Sequence, residues 1–227
     1  MKKVILIAIL ITLLPSCKIA HSLIELNRKN AKVYNYKLAD KEIKFVSMHH
    51  MGKKEFYDDV KSIIDINKKD GFRVYHERVS SVFEGDSLLK DIIRRKARKI
   101  KGFSGTYKEN AESSMFDKYV QQPDNIDLGI DDTDLWADVN YFQLINEWEK
   151  INGVIVLDSL DLNTFFTEKF SKGEFYTKKQ YHKILIEYRN EHLINLIKTN
   201  PDKKILVFYG DGHRKDFKKR LKKSCNH

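Results

Sequence analysis

Cysteine and proline are scarce in this chain, and long apolar runs are absent beyond its first residues. Of 227 residues, only Cys17 and Cys225 are cysteines and three are prolines. Two cysteines near opposite ends make at most a thin disulfide framework, so the fold must come from core burial. No Pro-rich linker and no internal repeat divides the sequence. The span 31–227 is long enough for one domain with a substantial core. The one continuous apolar stretch, Val4 to Leu14, is interrupted by Thr12 and is too short to settle as a transmembrane helix.

That stretch, preceded by Lys2 and Lys3, has the form of an export signal. It ends in Leu14-Pro15-Ser16-Cys17, which resembles a lipobox. On this reading residues 1–16 are a signal peptide, Cys17 is lipidated, 17–30 form a tether, and 31–227 form a single domain. The expected location is the cell envelope, with the protein held to a membrane by its lipid; the alternative is an ordinary signal peptide cut nearby. Lipidation leaves Cys225 unpaired, whereas a Cys17–Cys225 disulfide is the competing use of both thiols.

The net charge is +10, or +8 once Lys2 and Lys3 leave. Such a chain suits an anionic membrane surface as well as nucleic acid, but export removes the latter and no nucleic-acid reader motif is present. The densest run, Arg94-Arg95-Lys96-Ala97-Arg98-Lys99, lies among Leu88, Leu89, Ile92, Ile93 and Ile100 at helical spacing. It reads as the solvated face of a helix.

Lys32–Lys37 and Glu42–Met48 alternate as strands, with a turn at Leu38–Lys41. A helix follows His50, with Phe56, Val60, Ile63, Ile64 and Asn67 on one stripe, and Gly71 ends it. Phe72 to Glu77 is a short β-type run. Strand, helix, glycine, strand is a βαβ pattern, which predicts parallel strands and a ligand edge at their carboxyl ends. Further on, Gly102–Asn110 reads as a loop, Asp124–Asp134 as an acidic stretch, 141–152 as a helix, and Val154–Leu157 as a strand or buried turn. Lys178–Thr199 is a long helix, and Lys204–Tyr209 a buried central strand. Gly210-Asp211-Gly212-His213 follows that strand and opens a basic helix. The fold class is therefore α/β (α+β), with a mixed, largely parallel central sheet flanked by helices.

His50, Glu77 and His213 fall at strand ends of one sheet. Two imidazoles and a carboxylate are donors suited to a divalent metal with open positions. Singly, each has an ordinary role too: Glu77 beside Arg78, or Arg189 paired with Glu187 or Glu191 on a helix surface.

The run Met48-x-His50-Met51-Gly52, with Glu55-Phe56-Tyr57, Val60, Gly71 and Glu77 after it, resembles the opening of the TIKI/TraB family. Tyr188-Arg189-Asn190 and then a strand leading into Gly210-Asp211-Gly212-His213 resemble its close. The likeness spans most of the chain beyond residue 30, in order. Ser47 replaces the glycine of the first Gly-x-x-His motif, and His49 competes with His50. The resemblance implies a fold shared with erythromycin-esterase-like and ChaN-like proteins. It also implies metal-dependent peptide hydrolysis, with Mn, Co or Zn held by His50, His213 and Glu77. In this reading Glu77 is also the general base, and Arg189 steadies developing negative charge. Gln121, Asp138 and Asn190 are secondary candidates, with a loop glutamine and a helix-capping aspartate as the plainer readings of the first two. The implied partners are a peptide or protein substrate and a membrane. The alternatives are an envelope protein of the same fold that binds a peptide, haem or iron without turnover, and a metal-independent esterase.

Overall fold

The computed structural model describes residues 24–101, 117–165, 168 and 176–224. The export signal, Cys17, the start of the tether, the expected loop at Gly102–Asn110 and Cys225 lie outside the described residues. Among those described, no helix is long and apolar enough to cross a membrane.

A hairpin opens the domain. β1 (Lys32–Leu38) and β2 (Lys41–Met48) pair antiparallel from Lys32–Ser47 to Leu38–Lys41. The two-residue turn between them holds Ala39 at a left-handed φ of 52°. After a two-residue strand β3 (Met51–Gly52), α1 (Lys54–Lys69) lays Phe56, Tyr57, Val60 and Ile64 into the core. Gly71, at φ 83°, then turns the chain into β4 (Arg73–His76). α2 (Ser87–Lys101), β5 (Val120–Gln121), β6 (Leu135–Trp136), α3 (Tyr141–Asn152) and α4 (Ser159–Asn163) follow.

The expected helix over 178–199 is one helical path with three windings: α5 (Lys178–Tyr181), a π-helical stretch (His182–Tyr188) and α6 (Arg189–Thr199). β7 (Lys204–Gly210) leads directly into α7 (Asp211–Ser224).

The main sheet has the order β1-β2-β7-β4-β6, antiparallel at the β1 edge and parallel elsewhere. The last strand in sequence thus inserts between the two strands of the early βαβ unit. β7 is covered on both faces, which explains its unbroken apolar sequence. Ile205, Val207 and Tyr209 point with Ile43 and Phe45 towards α6 and α7, meeting Leu193, Ile197, Phe217 and Leu221. Leu206 and Phe208 point with Val46 towards α1. A third apolar cluster stands apart, where Trp148, Leu144 and Ile145 of α3 pack on Ile93 and Ile100 of α2 and Ile184 of the π stretch.

Two readings need correction. Residues 154–157 form neither strand nor buried turn: Ile155 is buried, but Val154 and Val156 are exposed. The basic run on α2 is not uniformly a solvated face either, because Arg95, Arg98 and Lys99 are buried. Arg95 and Arg98 donate to main-chain carbonyls of Asp161 and Thr164, and Lys99 pairs with the Asp161 carboxylate. Their long stems lie in the protein while their charges cap the carbonyl end of α4.

Candidate active site

Because β7 lies between β2 and β4, three strand ends arrive level with one another: Met48 is opposite Gly210, and His76 opposite Phe208. The Glu77 amide donates to the Phe208 carbonyl at 3.0 Å, extending the ladder by one residue. Its carboxylate folds onto the end of β7, where Oε2 accepts from the Gly210 amide at 2.6 Å. A Cβ on residue 210 would stand 3.3 Å from that oxygen, so glycine is the residue that leaves the carboxylate its place.

Arg189, first residue of α6, forms the floor. Its Nε and Nη2 donate to the two oxygens of Asp138 at 3.0 and 2.6 Å. Nη2 also donates to Glu77 Oε1 at 2.6 Å, and Nη1 to the Leu185 carbonyl at 3.2 Å. Such a bidentate, charge-assisted arrangement fixes the guanidinium plane. Arg189 is 7% exposed and Asp138 2%. Burial disfavours the Arg189 charge, but Glu77 and Asp138 outweigh it and hold the guanidinium above its ordinary range. Burial likewise pushes Glu77 up, yet Arg189 and His213 prevail and hold it well below the usual carboxylate range.

His213 lies in the first turn of α7 and is 3% exposed. Asn190, fully buried, clamps it: Nδ2 donates to the His213 carbonyl at 2.9 Å and to Asp216 at 3.0 Å. The Asn190 Oδ1 is then left to face His213 Nδ1 at 2.9 Å, which assigns the proton to Nδ1. His213 Nε2 consequently faces Arg189 Nη1 at 3.3 Å and Glu77 Oε1 at 3.5 Å.

His50 sits in the bend between β2 and β3, where its carbonyl accepts from the Gln122 amide at 2.9 Å. The residue is exposed and lines a cleft of about 940 Å³. Desolvation by the cleft walls, opposed by Glu77 and aided by Arg189 and Lys101, holds its imidazole below the ordinary value. The neutral ring therefore dominates at neutral pH. His49 also lines the cleft, but its Nε2 is 3.6 Å from Glu25 and its ring centroid 5.2 Å from that of Phe56. Glu25 belongs to the last part of the expected tether, which also bonds to α1 through Asn30 Nδ2, donating to Asp59 at 3.2 Å. Ser47 donates to the carboxylate of Asp211 and so ties the end of β2 to the start of α7.

The structure thus gathers Glu77, Asp138, Arg189, Asn190 and His213 into one bonded cluster, with His50 and Gln121 on the cleft wall above it. Asp138 does not cap α3. That role is taken by Asn140, in a reciprocal capping box with Gln143. Among the described residues, no group of three or more His, Cys, Asp or Glu side chains could hold a metal ion. Both oxygens of Glu77 are engaged, and the Arg189 guanidinium lies between Glu77, Asp138 and His213.

No protein-family model, curated protein or solved structure matches this chain. The likeness stated above rests on its quoted residues alone.

Sequence reasoning passed over Tyr141, Arg78, Arg94 and Lys101, which also line the cleft. The spacing of Arg94 and Lys101 on α2, seven residues apart and therefore on one side of the helix, was the available signal.

Proposed function

We propose that the cleft is the active centre of an envelope hydrolase that cleaves peptide bonds. One observation carries this reading: a neutral imidazole open to the cleft stands over a buried, fixed cluster of charge. His50 accepts a proton from water as the oxygen attacks the carbonyl carbon. It returns that proton to the amine as the C–N bond breaks. Arg189, on the floor of the cleft, is the cation assigned to steady the oxyanion. Glu77 is reassigned from base to positioning residue. Its depressed basicity and two engaged oxygens suit it to orienting Arg189 rather than to collecting protons.

Purified protein from Cys17 onward would be offered a peptide library, with and without chelator and with added Mn, Co or Zn. Cleavage that survives the chelator, and that His50→Ala lowers by about 10²–10⁴-fold, supports the assignment. Cleavage that needs an added ion would instead make His50, His213 and Glu77 its ligands. The mutual satisfaction of Glu77 and Arg189 favours a second reading, capture of a peptide without turnover. Absence of cleavage under every condition would select it.

The envelope location is part of the proposal and has its own test. Cys17→Ala should leave the protein unacylated and release it from the membrane fraction, since stable anchoring needs two acyl chains. Retention of the unacylated variant would refute the lipid anchor.

A further inference from the structure

Two helices that cover the main sheet from opposite sides treat their lysines differently. α1 lies on the face of Val46, Leu206 and Phe208, and α7 on the face of Phe45, Val207 and Tyr209. On α1 opposite charges pair along the helix, Lys54 with Asp58 and Lys61 with Asp65. α7 carries Lys215, Lys218, Lys219, Lys222 and Lys223, all exposed. None of these five makes a hydrogen bond or an ion pair among the described residues. The acids of α7 are already engaged, Asp211 by Ser47 and Arg214, and Asp216 by Asn190 and Arg220.

The lysine spacing puts all five on one stripe, opposite Phe217 and Leu221, which are buried against the sheet. Like charges stand four residues apart at 215 and 219, 218 and 222, and 219 and 223, each pair mildly unfavourable to the helix. The helix dipole favours cations in the last turn, which accounts for Lys222 and Lys223 but not for the other three. The two arginines of α7 are committed elsewhere, Arg214 over the Tyr34 ring and Arg220 to Asp216 and Glu191. What faces outward is therefore a row of mobile point charges rather than a fork shaped for one anion. Such a row complements a broad negative surface.

The N-terminal end of the described chain lies beside the start of this helix. Glu25 stands 3.6 Å from His49, which is two residues past Ser47, and the Ser47 hydroxyl bonds Asp211 at the head of α7. Cys17 precedes Ile24 by seven residues, a span of at most about 25 Å. A bilayer entered by a lipid on Cys17 is thus within reach of the stripe.

We propose that α7 is a second membrane contact, its lysine stripe lying along a bilayer surface rich in anionic lipid. The envelope reading serves only to choose lipid over nucleic acid and to set the reach from Cys17. The charge contact itself does not need acylation, so a failed anchor and a failed stripe give different results.

The test uses the chain from residue 17 onward, expressed without the export stretch and therefore unacylated. It is sedimented with vesicles of phosphatidylcholine alone or with about 30 mol % phosphatidylglycerol added. Affinity for the anionic vesicles should be at least about tenfold higher, and added salt should close the gap. Reversing Lys215→Glu, Lys218→Glu and Lys219→Glu together should weaken that binding about tenfold or more. Lys54→Glu, Lys61→Glu and Lys69→Glu on α1, also exposed, change the net charge equally and should leave it within about threefold. Thermal melts establish that each variant is folded, and the matching glutamine triple on α7 serves if the reversal unfolds it. Equal binding to neutral and anionic vesicles would overturn the proposal. So would an equal loss in the α1 variant, because the effect would then be bulk charge. Tighter binding to duplex DNA at equal phosphate concentration, lost with the same α7 lysines, would overturn the choice of lipid.

Discussion

The two histidine-bearing strand ends of this protein look alike in sequence and behave as opposites in structure. After β7 the chain enters a helix at once, and His213 is buried, clamped by Asn190 and turned towards Arg189. After β2 the chain bends, and His50 is left exposed on the wall of the cleft. The difference follows from what comes next along the chain. Gly210 lets Glu77 lie against the β7 end, and Asp211 begins a helix that carries His213 inward. After β2, Met51–Gly52 pairs with Val120–Gln121 and holds the bend away from the cluster. One imidazole belongs to the fold and the other to the solvent side, so twin motifs need not have twin roles.

The comparison can be broken most severely on the buried side. Asp138→Ala should cost about 3–5 kcal/mol in urea unfolding, because it strips the bidentate partner from a buried guanidinium. A loss under about 1 kcal/mol would mean that Glu77 alone suffices, and that the cluster is less integral than its bonds suggest.

His213→Ala comes next, at about 1–3 kcal/mol, since it leaves the Oδ1 of fully buried Asn190 without its partner. Asn190→Ala should match it within error, and the double variant should be less than additive, because the two residues share one bond.

Acid should weaken the same side. Glu77 has a folded-state pKa depressed below its unfolded value, so its contribution is complete above the ordinary carboxylate range near 4.3 and is lost as pH falls below that range. Stability measured from about pH 6 to pH 2 should fall in that lower window, and Glu77→Gln should flatten the profile. An unchanged slope in the variant would remove Glu77 from the acid response.

The smallest stability effect belongs to His50→Ala, within about 0.5 kcal/mol, as expected of an exposed side chain. A larger loss would make the two strand ends structurally equivalent and erase the distinction.

Much of the scaffold was legible from the residues. The alternation at 32–37 and 42–48, the stripe on α1 and the apolar run of β7 each follow from a single periodicity, and each appears where that periodicity puts it. The insertion of β7 between β2 and β4 was not legible, because βαβ spacing dictates parallelism but not adjacency. Asp138 was weighed as a helix cap because capping is a local property, whereas its partner Arg189 lies 51 residues away. The burial of Arg95, Arg98 and Lys99 was missed for the same reason. A charge run is solvated unless something distant, here the residues from Asp158 to Phe165, supplies acceptors. Ser47 looked like a defect in a motif, and its hydroxyl turns out to bond Asp211.

The π-helical stretch at His182–Tyr188 makes the long helix an adjustable part. Such windings are rare and lodge an extra residue within an otherwise α-helical path. Deleting one residue between 183 and 187 would restore ordinary winding and leave both flanks on their present faces, because the π stretch already absorbs the extra residue. Tyr181, whose hydroxyl donates to the Ile100 carbonyl at 2.6 Å, would keep its side of the helix, and Arg189 downstream would stay in register with β7. What the deletion would change is the stretch itself, where Leu185 lines the cleft and gives its carbonyl to Arg189.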